Sequence, residues 1–277
     1  MPDMNRLSLK QKIGINILAY LVCFLMFFPI FWLVLTSFKT NTLASALHPV
    51  FFFTPTLHSY IDAIVNNNYL HYIGNSLISS VVSTLICLLL GIPAAYSMVF
   101  HRTRRTDFTL LWMLSTKMLP AVGVLVPIYV VYNRLHLLDN VFGLVFIYAA
   151  MNLPIVIWLL YTYFKDLPKE ILEAARTDGA SMLVEIVRIV IPLTMPGLLS
   201  TALLAIVLAW NEAFWAINLT NVHGATLSVF VSGFKSSRGQ FWANMAAGST
   251  LAVLPILIAG WFTQRQLVRG LTFGAVQ

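Results

Sequence analysis

Charge is what this sequence has least of. Only 10% of its 277 residues are Asp, Glu, Lys or Arg, and 59% are hydrophobic; a typical soluble domain carries about 25% charged residues. So few charges cannot cover the surface of a core this large. A water-soluble globular protein is therefore excluded, and much of the outer face must meet a medium as apolar as the interior. The mean hydropathy of +0.82 points to a lipid bilayer as that medium. Acidic residues are scarcer still, ten against seventeen basic ones, which leaves a net charge of +7. There are only two cysteines, Cys23 and Cys87, each inside a long apolar run. That placement suits small polarizable core residues better than a disulfide or a metal site. His48, His58, His71, His136 and His223 fall in loops and His101 at a span end, none at metal-ligand spacing. No HExxH, clustered carboxylates or Ser–His–Asp set appears at membrane depth, which argues against a membrane enzyme. The 14 Gly and 12 Pro have no period, and no repeat, linker or low-complexity tract appears. A single domain, 1–277, is expected.

What is present is long apolar runs. A bilayer core about 30 Å thick needs roughly 20 residues of apolar helix. Six runs meet that length, at about 14–35, 73–100, 108–132, 141–164, 193–217 and 243–264. The expected fold class is all-α, a polytopic membrane protein with six transmembrane helices. The basic stretch before the first run resembles a signal peptide. That run is too long for a signal core, however, and no small-x-small site closes it, so it reads as an uncleaved first span.

Six spans put both termini on one side. That side holds Arg6, Lys10, Lys12, Arg102, Arg104, Arg105, Lys165, Lys169, Arg176, Arg188, Arg265 and Arg269; the other holds Lys39, Arg134, Lys235 and Arg238. The bias places both termini in the cytoplasm and accounts for the net positive charge without nucleic acid. Prolines 29, 93, 120, 127, 154 and 255 recur inside the spans. Each removes a helix hydrogen bond, and their number favours a moving bundle over a rigid anchor.

The segment 165–192, KDLPKEILEAARTDGASMLVEIVRIVIP, lies between the fourth and fifth spans. Asp166 can cap, Pro168 suits a first turn, and Ile171, Leu172 and Ala175 share a face, so a short amphipathic helix is expected over about 168–177. Gly179 offers the left-handed conformation of a helix end, and Ser181 can restart a helix. Local physics alone leaves a solvated interfacial hairpin as an equal alternative to a docking element.

Glu173-Ala174-Ala175, three residues, Gly179, nine residues and Ile189-x-Ile191-Pro192 resemble the EAA loop of permease subunits of bacterial ATP-binding cassette importers. Other stretches resemble the sugar and polyol branch: Asn75-Ser76, Gly91-x-Pro93-Ala94-Ala95-Tyr96, Met118-Leu119-Pro120, Pro127-x-Tyr129, Leu138-Asp139-Asn140, Asn152-Leu153-Pro154, Trp210-Asn211-Glu212 and the tail 269–276. The set is similar to the six-span maltose-type subunit, with mannitol and sorbitol importers nearest.

The resemblance implies that 165–192 carries a coupling helix docked in a cleft of an ATPase subunit, with Glu173, Ala174, Ala175, Asp178 and Gly179 bearing the force. It implies a sister permease, two ATPase subunits, an extracytoplasmic substrate-binding protein, and residence in the bacterial cytoplasmic membrane. No GxxxxGK[ST] occurs in the chain, so nothing here cradles nucleotide phosphates on backbone amides. No cofactor is expected in this chain, ATP and Mg2+ belonging to the partner ATPases.

Polar groups at membrane depth supply a candidate pathway: Lys117, Asn152, Trp210, Asn211 and Glu212. Lys117 falls roughly nine residues, about 14 Å, into the third span. An ion there costs at least ~2.5 kcal/mol, so it faces the bundle interior or water. It either lines the pathway or ties down carbonyls freed by Pro120. The acid, amide and indole of Trp210-Asn211-Glu212 suit a polyhydroxylated solute, and they equally suit a helix–helix hydrogen-bond cluster. Glu212 sits about 27 Å deep by helical rise, a poor match in height for pairing with Lys117. An importer of the same family for another small polar solute is one alternative. An ion-coupled secondary transporter is another, although Glu212 would be its only intramembrane acid.

Overall fold

The computed structural model of the chain describes residues 9–236 and 239–272. In chain order the helices are α1 (Leu9–Ser37), α2 (Asn41–Ala44), α3 (His58–Ile61), α4 (Tyr69–Phe100), α5 (Thr106–Thr116), α6 (Ala121–Arg134), α7 (Val141–Lys165), α8 (Lys169–Thr177), α9 (Met182–Val184), α10 (Ile191–Leu193), α11 (Met195–Trp210), α12 (Phe214–Leu219), α13 (Leu227–Gly233) and α14 (Trp242–Thr272). Asp62–Asn66 and Glu185–Val190 are π-helical, and β1 (Lys235–Ser236) pairs antiparallel with β2 (Gly239–Gln240). The architecture is all-α apart from that ribbon. Arg6, Arg238 and the tail from Phe273 onward, used in the charge and motif readings, lie outside the described residues.

By Cα proximity the chain divides into two compact units: 1–68 with 233–251, and 69–232 with 252–277. In the first unit, α1 is apolar on every side and its most apolar window buries none of its residues, as befits a helix solvated by lipid or by another protein. A knot of amides organises the rest. Asn41 Oδ1 accepts from the N–H groups of Ala243 and Asn244 at 3.0 and 3.4 Å, capping the start of α14. Asn41 Nδ2 donates to Asn244 Oδ1 at 2.7 Å, and Asn244 in turn donates to Asp62.

The second unit is built on α4, α7 and α11. Ser76, Ser80, Ser83, Cys87, Gly91 and Ala95 recur every three or four residues along α4 and are all buried. This small-residue stripe lets the neighbouring backbones close in. Ser80 spends its hydroxyl on the Ser76 carbonyl at 2.6 Å. Gly197 on α11 meets Tyr163 so closely that a Cβ would lie 2.4 Å from the ring.

Among the described residues three single helices, α1, α4 and α7, are long and apolar enough to span a membrane, and two bent pairs bring the count to five. The expected third span, 108–132, is broken: α5 and α6 meet at 86°. Pro120 is the cause, sitting at the start of α6 with φ −65° and ψ 124° and turning the preceding residue away from helix. The expected fifth span, 193–217, is also corrected. The segment 182–193 meets α11 at 83°, and α11 ends at Trp210. Asn211 and Glu212 therefore lie in a break before α12 rather than within a span. The expected sixth run falls on α14, whose apolar stretch covers Trp242–Ile258 among the described residues.

The loop between α12 and α13 shows how irregular backbone is kept satisfied. Asp139, at φ 52°, turns its carboxylate into the loop. Its Oδ1 accepts from the N–H groups of Asn221, Val222 and Gly224 at 2.9, 2.9 and 3.0 Å, and Oδ2 from that of His223 at 3.1 Å. Asn75 Nδ2 donates to the carbonyls of His223 and Ala225 at 2.8 and 2.9 Å, and Ser76 Oγ accepts from Leu227 N–H at 2.9 Å. Burial by itself would raise the Asp139 pKa, but the four backbone donors outweigh it and bring the value down from 3.8 to about 2.

Because the native value lies below the ordinary one, this clamp contributes fully above about pH 3.8 and is lost as pH falls through about 2. Asp139→Asn, which keeps the shape and removes the charge, should lower stability by about 1.5–3 kcal/mol. Thermal unfolding in detergent against pH checks this: the wild type should lose stability across that acid window, and the difference between wild type and variant should vanish at its lower end.

Candidate functional site

The segment after α7 folds as a surface helix with a sharp end. Asp166 closes α7 rather than opening α8, and Pro168, at φ −59° and ψ 128°, starts α8 with no side-chain cap. This corrects the expectation that Asp166 caps the helix. At the far end Gly179 takes φ 81°, its N–H bonds the Arg176 carbonyl at 3.0 Å, and Ala180 N–H bonds the Ala175 carbonyl at 2.9 Å. That pair of bonds closes the last turn around a left-handed residue, the role expected of Gly179. Chain direction then reverses through Ser181 into α9.

The helix has two distinct faces. Leu172 is buried in the core cluster that includes Tyr96, Leu160, Phe164, Ile186 and Val190. Glu173, Ala174, Asp178 and Gly179 are exposed, and Ala175 is half-buried. Four of the five residues singled out in this loop thus form an open edge, with Ala175 on its inner side. Beside that edge, a cavity of about 360 Å³ is lined by Arg102, Lys169, Glu173 and Arg176 among others.

A polar node the sequence did not single out fastens this helix. Arg176 Nε donates to Glu185 Oε1 at 2.9 Å, and its Nη2 donates to Glu185 Oε2 and to the Tyr96 hydroxyl, both at 3.2 Å. The Tyr96 hydroxyl donates to Glu185 as well. Glu185 is only 2% exposed and Tyr96 is fully buried. The Arg176 guanidinium holds the Glu185 carboxyl below its ordinary pKa against burial, which would raise it, and the Tyr96 hydroxyl adds to the lowering. The same bonds raise Arg176. The available signals were the opposite charges nine residues apart in the loop and the tyrosine ending the Gly91–Tyr96 motif. Neither specifies that the three meet.

Lys117 sits at the break between α5 and α6, where it ends α5, and not in mid-helix. Its Nζ donates to Asn152 Oδ1 at 3.1 Å, so two of the candidate pathway residues are brought together. Lys117 is exposed on this chain and Asn152 is buried on α7. The other three candidates hydrogen-bond elsewhere, although the Glu212 carboxylate stays within electrostatic reach of Lys117. Trp210 is buried and its indole N–H donates to the Ala252 carbonyl at 3.1 Å, a helix–helix bond. Asn211 turns back on the Val207 carbonyl at 2.8 Å, closing α11. Glu212 accepts from Trp215 N–H at 3.1 Å, capping α12. No Lys117–Glu212 ion pair forms among the described residues.

Comparison with known proteins places this arrangement. Residues 87–272 match the family described as binding-protein-dependent transport system inner membrane component. A probable ABC transporter permease protein of Sinorhizobium fredii is 32% identical over 256 residues, 92% of each chain. A trehalose/maltose transport system permease protein of Thermococcus litoralis is 30% identical, covering 98% of this chain and 99% of that one. Among solved structures, a bacterial ABC transporter involved in import of the acidic polysaccharide alginate contains a chain with the same fold. Its TM-score is 0.76 at 22% identity, over 94% of this chain and 98% of that one. With the family match covering most of its length, the chain belongs to the inner-membrane permease components of binding-protein-dependent ABC transport systems.

Proposed function

We propose that this chain is one half of the translocation pathway of an ATP-driven importer for a sugar or polyol, acting as one permease domain of six spans with both termini in the cytoplasm. It works with a sister permease, an extracytoplasmic substrate-binding protein and two ATPase subunits that hold ATP and Mg2+. ATP binding closes the ATPase pair, the helix 169–177 moves with it, and the kinked spans exchange inward-open and outward-open states. Glu173, Ala174, Ala175, Asp178 and Gly179 take the force.

The observation that carries this reading is the exposed edge of α8, closed by a left-handed Gly179 and anchored inward through Leu172. The carbohydrate class rests on the likeness to the trehalose/maltose transport permease of Thermococcus litoralis together with the motifs of the third span and the tail. We place Lys117 and Asn152 on the pathway. An ammonium at a helix break and an amide on the facing α7 present donors and an acceptor that match solute hydroxyls. Trp210, Asn211 and Glu212, whose polar groups are occupied by helix ends and by α14, shape the pathway rather than grip the solute.

The test is to express the chain with its candidate partners, purify by a tag on this chain, and follow uptake of radiolabelled maltose, sorbitol and mannitol into vesicles with ATP inside or outside. A stoichiometric ATPase should co-purify and uptake should require ATP on the cytoplasmic side. Uptake abolished by an uncoupler with ATP maintained would overturn the reading. Gly179→Asp should leave the complex assembled in the membrane but largely abolish uptake. Space is open around Gly179, so the defect would come from about 1–2 kcal/mol of left-handed strain and from charge added to the docking edge. Lys117→Met should reduce uptake several-fold while the amount of co-purified ATPase stays unchanged.

A further inference from the structure

Three segments converge on one buried carboxylate, and two of them lead away from the surface helix into the bundle. Glu185 belongs to the π-helical turn Glu185–Val190, which runs through α10 into the 83° bend before α11. Tyr96 belongs to α4, three residues beyond Pro93. Arg176 belongs to the last turn of α8. The apolar contacts beneath them are continuous: Leu172, Ile186, Val190, Phe164 and Tyr96 share one core cluster.

A carboxylate with 2% exposure is expensive to bury unless its charge is paired and its lone pairs are filled. Here a guanidinium fork and a phenol fill them together. Each of the three bonds the other two, so removing Arg176 leaves a buried charge without its counter-ion and removing Tyr96 or Glu185 takes away at least two hydrogen bonds; the arrangement therefore resists partial opening. Apolar packing alone lets helices slide by small shifts, whereas a forked guanidinium–carboxylate pair fixes distance and angle at once.

We propose that Arg176, Glu185 and Tyr96 form the rigid joint through which displacement of α8 reaches both α4 and the bend before α11, making them positioning residues for coupling rather than docking residues. The joint rests on the proposed function, since it transmits motion only if an ATPase moves α8. With the joint intact, α8, the π-turn and the cytoplasmic end of α4 travel as one body. With it broken, α8 still docks but rotates about Leu172, and hydrolysis proceeds without driving the spans.

The test uses the full complex in lipid vesicles, in a background in which Cys23 and Cys87 are replaced by Ser. Spin labels are placed at Lys169→Cys on α8 and Ser97→Cys on α4, both exposed positions outside the node. In the otherwise unaltered chain the interlabel distance should be narrow and should not change between nucleotide-free and Mg-ATP-vanadate states. Glu185→Gln and Tyr96→Phe should broaden it. For Glu185→Gln, uptake per ATP hydrolysed should fall about tenfold, the scale carried by packed coupling networks, with ATPase co-purification unchanged.

Arg176→Met combined with Glu185→Leu separates coupling from folding, because the buried carboxylate and its half-exposed partner are removed together and no uncompensated buried charge is left. That double variant should assemble and remain uncoupled. Normal uptake per ATP in the double variant would reduce the node to packing. Failure of both variants to assemble would make it a folding staple, and a distance that changes with nucleotide in the unaltered chain would show no rigid joint. Each of these results overturns the proposal. If no ATPase accompanies the unaltered chain, the functional reading fails instead, and the nucleotide-free distance widths still report whether the node fastens α8 to α4.

Discussion

A buried or irregular stretch of backbone must find hydrogen-bond partners within the protein, and that constraint orders the second unit of this chain. Its main chain is helical where it can be, and wherever it departs from helix a side chain or a neighbouring carbonyl fills the gap. At 221–224 the departure is complete, and Asp139, Asn75 and Ser76 supply the missing partners. At 211–213, Glu212 and Asn211 serve the adjoining helix ends. At 117–120 the break leaves Lys117 bonded to Asn152 on α7. Polar side chains thus serve these interruptions, and the one at 117–120 is also the 86° bend between α5 and α6.

Burial of charge follows the same logic at the surface helix. Leu172 and the residues around it would hold α8 against the bundle through apolar contact alone. The Arg176–Glu185–Tyr96 node adds direction to that adhesion, because its hydrogen bonds tolerate little change in angle. The inner face of α8 is thus fixed to unit-2 elements while its outer edge, Glu173, Ala174, Asp178 and Gly179, stays open. A short helix held firmly on one side and exposed on the other suits the transfer of force between subunits of a transport system.

Much of this was legible in residue order. The apolar runs at about 73–100 and 141–164 are α4 and α7 with small changes at the ends, because twenty-odd apolar residues have few alternatives to a spanning helix. Gly179 could be assigned its conformation from composition, since a glycine after an amphipathic turn marks a helix end. The third and fifth runs were each read as one span, the third with a kink at Pro120. A proline states that one helix bond is absent; how far the chain then bends depends on what packs into the gap. Asp166 was read as the cap of α8 because acid before proline is a common start, yet the end of α7 lay closer and took it.

The amino-acid order by itself determined the solvent, the positions of most helices and the place of the surface helix. These follow from local periodicity and from the scarcity of charge, which no packing arrangement can change. Only the tertiary structure decided which polar residues meet. Tyr96 and Arg176 are eighty residues apart along the chain yet share a hydrogen bond, and Lys117 found Asn152 while Glu212 turned to a helix end. A buried polar atom takes whichever partner the close packing of the bundle brings within about 3 Å, and sequence spacing carries no record of that distance.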